Sequence, residues 1–243
     1  MKALVSDFDG TLYFYYENPR VKKIDIKKIN EFQKDNLFIL CTGRSLQGVK
    51  ILKDYHINCD YYISVSGAII TDKDKNIIFK RCLDKTIVQN VLDKLNTFQI
   101  CVITENRMYR ILNKACFPQK KGEEYSKDVN SLDEELYGMS IHAKNDEEAE
   151  KLAAFLNKKY EVKALQNGEF IDVVPQDCSK GIALNFIKNY LHLDHVGAIG
   201  DSYNDIDMLK QADVSFTFEN SPNRVKKYAQ YQVSGIAQAL DYM

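Results

Sequence analysis

The chain alternates short apolar runs with helix-spaced segments at both ends, and that alternation stops in the middle. Ala3-Leu4-Val5, Leu37–Cys41 and Tyr61–Val65 are apolar runs of strand length. Between them, Ile26, Ile29 and Phe32 recur at roughly helical spacing, and so do Leu46, Val49, Ile51 and Leu52. The pattern returns after residue 175. Ser179 is a natural N-cap for a helix from Lys180 to about Leu191. Val196–Ile199 and Val214–Phe216 are strands, Asn204–Gln211 is helical, Pro222 suits a first helical turn, and a last helix covers about Ile236–Tyr242. Continuously apolar strands separated by helices predict a parallel sheet with right-handed crossovers and helices on both faces.

The middle follows another rule. Ile69-Ile70 and Ile77–Phe79 flank a polar turn and predict a hairpin. A helix near Ile87–Leu95 leads to strands at Ile100–Thr104 and Met108–Leu112. Asn113–Asp133 is polar and carries no clear pattern. Leu136–His142 is a strand, Glu147–Leu156 an amphipathic helix, and Val162–Leu165 with Phe170–Val174 a closing hairpin. The expectation is an α/β protein: a Rossmann-like parallel-sheet core from residues 1–80 and 176–243, and an inserted α+β unit from 81–175.

Composition narrows the function. Lys+Arg total 33 against 34 Asp+Glu, a formal net charge of -1, so the bulk charge gives no reason to expect nucleic acid as a partner. No apolar run approaches the roughly 20 residues of a membrane span. The N-terminus meets Asp7 too early for a secretory signal. The expectation is a soluble, cytoplasmic protein. Cys41, Cys59, Cys82, Cys101, Cys116 and Cys178 show neither C-x-x-C pairs nor zinc spacing and read as buried reduced thiols. His56, His142, His192 and His195 match no ligand spacing. The Walker and dinucleotide-binding glycine motifs are missing from the sequence.

Ligands of open α/β sheets sit outside the carboxyl ends of the strands. Here those ends carry polar groups. Asp7 and Asp9 follow the first strand, two residues apart, with Gly10 permitting a tight turn after them. Two close carboxylates call for a cation, a shared proton, or divided nucleophile and acid roles. Thr42-Gly43 offers a hydroxyl and an amide. Lys180 begins a helix, where the dipole also favours an anion. Asp201, Asn204 and Asp205 follow a later strand. Carboxylates for a hard cation, with an ammonium and amides for an anion, describe a Mg²⁺–phosphate site.

Asp7-Phe8-Asp9-Gly10-Thr11, Thr42, Lys180 and Gly200-Asp201-Ser202-Tyr203-Asn204-Asp205 resemble the four motifs of the haloacid dehalogenase-like superfamily, in the right order. The position of the insert resembles the type-two cap of the Cof-like phosphatases. The resemblance implies a Mg²⁺-dependent phosphatase for a small phosphorylated metabolite, whether sugar phosphate, nucleotide or coenzyme phosphate. Asp7 would be the nucleophile that becomes an aspartyl-phosphate. Asp9 would protonate the leaving oxygen and then serve as base toward water. Thr42, Gly43, Lys180 and Asn204 would hold the phosphoryl group. Asp7, the Asp9 carbonyl and Asp201 would hold the metal, with Asp205 supporting its waters or Lys180. A phosphomutase of the same fold and a catalytically quiet phosphate-binding module are the alternatives, and the intact Asp7 and Asp9 argue against the second.

The sequence departs from the family pattern at Ser66-Gly67-Ala68, at the bulky Ser202-Tyr203 pair and at the aromatic run Tyr13-Phe14-Tyr15-Tyr16. The run is expected to pack beside the insert, with a substrate-stacking wall as the alternative. Arg44 is expected as an ion-pair partner near the site. Arg107, Arg110, Lys163 and Glu169 are the insert's charged candidates for facing a substrate. Neither the substrate nor the oligomeric state follows from the sequence.

Overall fold

In the computed structural model, residues 1–115 and 124–243 are described. In chain order the elements are β1 (Lys2–Ser6), α1 (Lys23–Phe32), β2 (Leu37–Cys41), β3 (Tyr61–Ser64), β4 (Ile69–Asp72), β5 (Ile77–Lys80), α2 (Lys85–Lys94), β6 (Gln99–Ile103), β7 (Met108–Ile111) and β8 (Glu124–Ser126). They continue with β9 (Gly138–His142), α3 (Asp146–Lys159), β10 (Val162–Asn167), β11 (Phe170–Pro175), α4 (Lys180–Tyr190), β12 (His195–Ile199), α5 (Ile206–Gln211), β13 (Val214–Phe218), α6 (Asn223–Lys226), β14 (Tyr231–Val233) and α7 (Ile236–Asp241).

Eight strands form one sheet in the order β14-β13-β12-β1-β2-β3-β4-β5, and six form another in the order β10-β11-β9-β6-β7-β8. From β14 to β3 the first sheet is parallel, and the β4–β5 hairpin extends it antiparallel. The chain runs outward from β1 to β2 and β3 on one side, and from β12 to β13 and β14 on the other. The β1–β12 seam is therefore the topological switch point, and Asp7 and Asp201 follow the two strands that flank it.

Period-two alternation sorts the central strands between two cores. Leu4, Phe38, Leu40 and Ile199 pack in one cluster, and Ala3, Val5, Ile39 and Ala198 pack in the other. That two-sided burial is why these strands read as unbroken apolar runs. In the second sheet, α2 and α3 cover one face through Val88, Val91, Leu152 and Leu156. Ile103, Tyr137 and Val174 from this part of the chain pack with Val65, Ala68 and Ile69, which join the two sheets in a smaller cluster.

Three local expectations needed correction. Leu46–Tyr55 winds as 3₁₀ turns rather than a regular α-helix. Arg44 Nη1 also donates to the Gly48 carbonyl of that segment at 2.9 Å. The third strand stops at Ser64, because Val65 and Ser66 take positive φ of 50° and 48° and turn the chain. β14 went unpredicted because two of its three residues are exposed and it carries no apolar run. Cys41, Cys59, Cys101 and Cys178 are buried free thiols, whereas Cys82 is exposed; Cys116 lies outside the described residues. Among the described residues, no helix is long and apolar enough to cross a membrane.

Candidate active site

Lys180 anchors the site. It opens α4, where Ser179 caps the helix by accepting from the Ile182 amide at 3.1 Å. Only 1 % exposed, it donates to Asp7 Oδ1 and to Asp205 Oδ1, each at 2.6 Å. An ammonium buried this deeply persists only with paired carboxylates. Burial works against its charge, but Asp205 and Asp7 outweigh burial and hold its pKa well above the usual lysine value.

Asp7 is placed by the ladder, its amide donating to the Ile199 carbonyl at 2.9 Å. Burial pushes its pKa well above the ordinary carboxylate value; Lys180 opposes that rise, and Asp205 and Asp201 add to it. Asp201 is pushed up to about 7, first by burial and then by Asp205, while the Thr11 hydroxyl, 2.6 Å from Asp201 Oδ1, pulls it back. Oxygen atoms of Asp7, Asp201 and Asp205 lie within 4.8 Å of one another. One lysine cannot neutralise three carboxylates, so hard oxygen donors and unbalanced negative charge fit a divalent cation such as Mg²⁺. Gly10 makes room for this arrangement. It turns at φ +81°, and a Cβ there would stand 2.6 Å from Asp201 Oδ2.

Asp205 differs from the other two. Its Oδ1 serves Lys180, and its Oδ2 accepts from the Asp201 and Ser202 amides at 3.0 Å each. Both oxygens are committed, which favours support of Lys180 over direct ligation. Asp9 Oδ2 and Oδ1 accept from Arg44 Nε and Nη2, both at 2.8 Å. That two-pronged pair fulfils the ion-pair expectation for Arg44 and turns the Asp9 carboxylate away from the three-aspartate cluster. Thr42 is buried, with its hydroxyl oxygen accepting from the Arg44 amide at 3.1 Å. Gly43 lies so close to the second sheet that a Cβ would stand 2.7 Å from Asp172 Oδ2.

Asp172, on β11, was missed from sequence. Its Oδ2 accepts from Ser66 Oγ at 2.8 Å and from Asn204 Nδ2 at 3.1 Å. Burial raises its pKa, and the Ser66 hydroxyl opposes the rise. It is a carboxylate of the second sheet that holds two loops of the first. The turn that brings Ser66 to it contains the two positive-φ residues, a conformation unusual above all for Val65. The signal was a charged residue inside the run Phe170-Ile171-Asp172-Val173-Val174, where an unpaired acid would be costly. Asn204 Oδ1 is buried without a partner, so this amide still has an acceptor to offer.

A cavity of about 560 Å³ lies over these groups, lined by Asp7, Asp9, Thr42 and Gly43 from the first sheet and by Ile103, Met108, Phe170 and Asp172 from the second. The Tyr13–Tyr16 run divides here. Tyr13 is buried and stacks on Phe8 at 5.1 Å, as expected of packing, but Tyr15 and Tyr16 are exposed and line the cavity. Arg107 and Arg110 line an adjoining cavity that shares Tyr15, Arg44 and Met108 with the first. Lys163 lies 3.8 Å from Asp207, and Glu169 lies 3.6 Å from His142; neither lines these two cavities.

A family model of haloacid dehalogenase-like hydrolases matches residues 4–239, and the chain belongs to that family. Within it the chain is Cof-like. A subclass IIB sugar phosphatase of the superfamily superposes with a TM-score of 0.82 at 19 % identity, covering 100 % of this chain and 98 % of its own. A haloacid dehalogenase-like hydrolase from Bacillus subtilis superposes at 0.87 with 19 % identity over 100 % of both chains. At such identities these two likenesses speak for the fold. Among curated relatives, an uncharacterized protein of Mycoplasma capricolum is 32 % identical over 235 residues, 86 % of this chain and 87 % of that one. The 5-amino-6-(5-phospho-D-ribitylamino)uracil phosphatase YcsE of Bacillus subtilis is 24 % identical over 237 residues, 95 % of this chain and 89 % of its own.

Proposed function

We propose that this hydrolase is a Mg²⁺-dependent phosphatase acting on a small phosphorylated metabolite through a phosphoryl group carried on Asp7. The observation that carries the reading is the buried Lys180 bridging Asp7 and Asp205 beside Asp201, at the switch point of a parallel sheet. Relatives named as phosphatases, at 24–27 % identity over most of their length, support it.

Asp7 and Asp201 would hold Mg²⁺ together with the Asp9 carbonyl. When bound, the ion would balance the negative charge of the carboxylates and the phosphate. The other roles fall to the chain itself. Lys180 holds one Asp7 oxygen, which leaves Oδ2 to attack phosphorus as the bond to the leaving oxygen breaks. Thr42, the Gly43 amide and Asn204 are the groups for the phosphoryl oxygens. Asp9 protonates the departing alcohol, and then takes a proton from the water that releases phosphate and restores Asp7. In the structure both Asp9 oxygens are occupied by Arg44, so reaching the leaving oxygen needs that pair to open. Residues 81–175 would act as a cap, with 1–80 and 176–243 as the catalytic core.

The test is phosphate release from a panel of esters with purified protein. Activity lost to EDTA and regained with Mg²⁺ is expected; full turnover in metal-free protein would refute the reading.

A further inference from the structure

The cavity above Asp7 says more about the leaving group than about the phosphate. Four large apolar side chains stand exposed around it: Tyr15 (51 %), Tyr16 (104 %), Met108 (46 %) and Phe170 (45 %). Two come from the loop after β1 and two from the second sheet. Exposed apolar groups are usually scattered singly, so four around one cavity mark a binding wall.

Two of the rings are braced. The edge of Tyr13 meets Tyr15 at 5.2 Å, and the Arg44 guanidinium sits 5.3 Å from the Tyr15 ring centre. Phe170 stacks on His142 with ring centres 4.5 Å apart and planes 15° from parallel. A held, exposed ring presents its face at little entropic cost.

The charged groups of this wall, Arg44 and Asp172, are committed, while Ser140 and Asn167 of the second sheet also line it. Arg44 gives its donors to Asp9 and the Gly48 carbonyl, and Asp172 takes Ser66 and Asn204. A polyhydroxylated group would surrender several hydrogen bonds to water, recover only part of them from Ser140 and Asn167, and leave the four apolar surfaces unmatched. A flat ring needs only faces and contact area.

We propose that the preferred ester carries a flat unsaturated ring in its leaving group, seated between Tyr15 and Tyr16 on one side and Met108 and Phe170 on the other. This rests on the phosphatase reading and narrows its substrate class to ring-bearing phosphate esters, as against simple sugar phosphates.

The test compares kcat/KM for riboflavin 5′-phosphate, uridine 5′-phosphate and pyridoxal 5′-phosphate with that for glucose 6-phosphate, and uses acetyl phosphate, an acyl phosphate, as the phosphoryl donor with no ring to seat. At least one ring-bearing ester should exceed glucose 6-phosphate by about tenfold. Phe170→Leu, which keeps apolar bulk but removes the π face, and Tyr16→Ala, at a fully exposed position, should each cut that advantage several-fold, on the order of 1 kcal/mol. Both should leave acetyl phosphate hydrolysis unchanged. Glucose 6-phosphate matching every ring-bearing ester would overturn the inference, and so would variants that slow acetyl phosphate equally. If acetyl phosphate is hydrolysed without any ring preference, this inference falls alone. If the wild type hydrolyses none of the five, the phosphatase reading falls and takes it along.

Discussion

The floor and the wall of the cavity are built on opposite principles. On the floor, Lys180, Asp7, Asp201 and Asp205 are buried or nearly so, and both Asp205 oxygens are committed. On the wall, Tyr15, Tyr16, Met108 and Phe170 are exposed and contribute surface more than hydrogen bonds. Such a floor tolerates almost no change, because every member leaves a partner unpaired when it goes. A wall of exposed side chains can change without unfolding anything. The difference suggests that the reaction is set below and the choice of substrate above. Floor substitutions should therefore depress every ester alike, and wall substitutions should reorder them.

The sharpest break expected is Asp7→Asn. It should lower turnover of all esters by at least about 10⁴-fold, since it would remove the proposed nucleophile. A loss that varied from ester to ester would move Asp7 from the floor's role to the wall's.

Lys180→Met comes next. It leaves two buried carboxylates without their cation, a cost of about 3–5 kcal/mol in metal-free stability by urea unfolding. Activity should fall by about 10²–10³-fold on all esters. A fully stable variant would mean that Lys180 does not neutralise this cluster.

In kcat/KM, which reports the transfer to Asp7 and not the later release of phosphate, Asp9→Asn should cost about 10²–10⁴-fold for poor leaving groups and clearly less for nitrophenyl phosphate, which departs with little help from a proton. Equal losses across leaving groups would contradict the acid role.

The pH dependence of stability probes the floor without mutation. Asp201 is raised to about 7 from 3.8, and Asp7 is raised as well. The folded state therefore binds protons more tightly than the unfolded chain does. Stability from these groups is full below the unfolded value and is lost as pH rises through the folded one. Metal-free protein should lose thermal stability between about pH 5 and pH 8, and Mg²⁺ should raise Tm more at the upper end than at the lower. An equal Mg²⁺ effect at both ends would count against these carboxylates as the metal site.

Asp172→Asn is the mildest change and joins the two regions. It weakens the carboxylate's hold on Ser66 and Asn204, and should raise KM by about tenfold with a smaller change in kcat. Rescue by Asp172→Glu would not be expected, because the extra methylene moves the carboxylate off Ser66 Oγ and Asn204 Nδ2.

The floor was readable because each of its members ends a strand or starts a helix of the alternating pattern, and such ends converge in any parallel sheet. Asp7, Thr42, Lys180 and Asp201 were singled out by their order along the chain together with the resemblance to the four family motifs. Asp172 was hidden because its partners, Ser66 and Asn204, lie 106 and 32 residues away in sequence and meet it only where the two sheets touch. The 3₁₀ turns of Leu46–Tyr55 were hidden because apolar spacing reports which face is buried, but not whether the ladder closes over three residues or four. Of the aromatic run, sequence offered packing beside the insert or a stacking wall for all four residues but not the division found, with Tyr13 in the first sheet's core and Tyr15 and Tyr16 open, since nothing local distinguishes one tyrosine from the next.

The central claim is that Asp7 carries the phosphoryl group, and it can be tested directly. Asp9→Asn should slow release of phosphate from the enzyme, so the protein can be mixed with Mg²⁺ and nitrophenyl phosphate, quenched in acid, reduced with borohydride and mapped by peptide mass spectrometry. The account predicts that residue 7 is recovered as homoserine, the reduction product of an acyl phosphate. Turnover with no modified residue, or homoserine at any other aspartate, would contradict it.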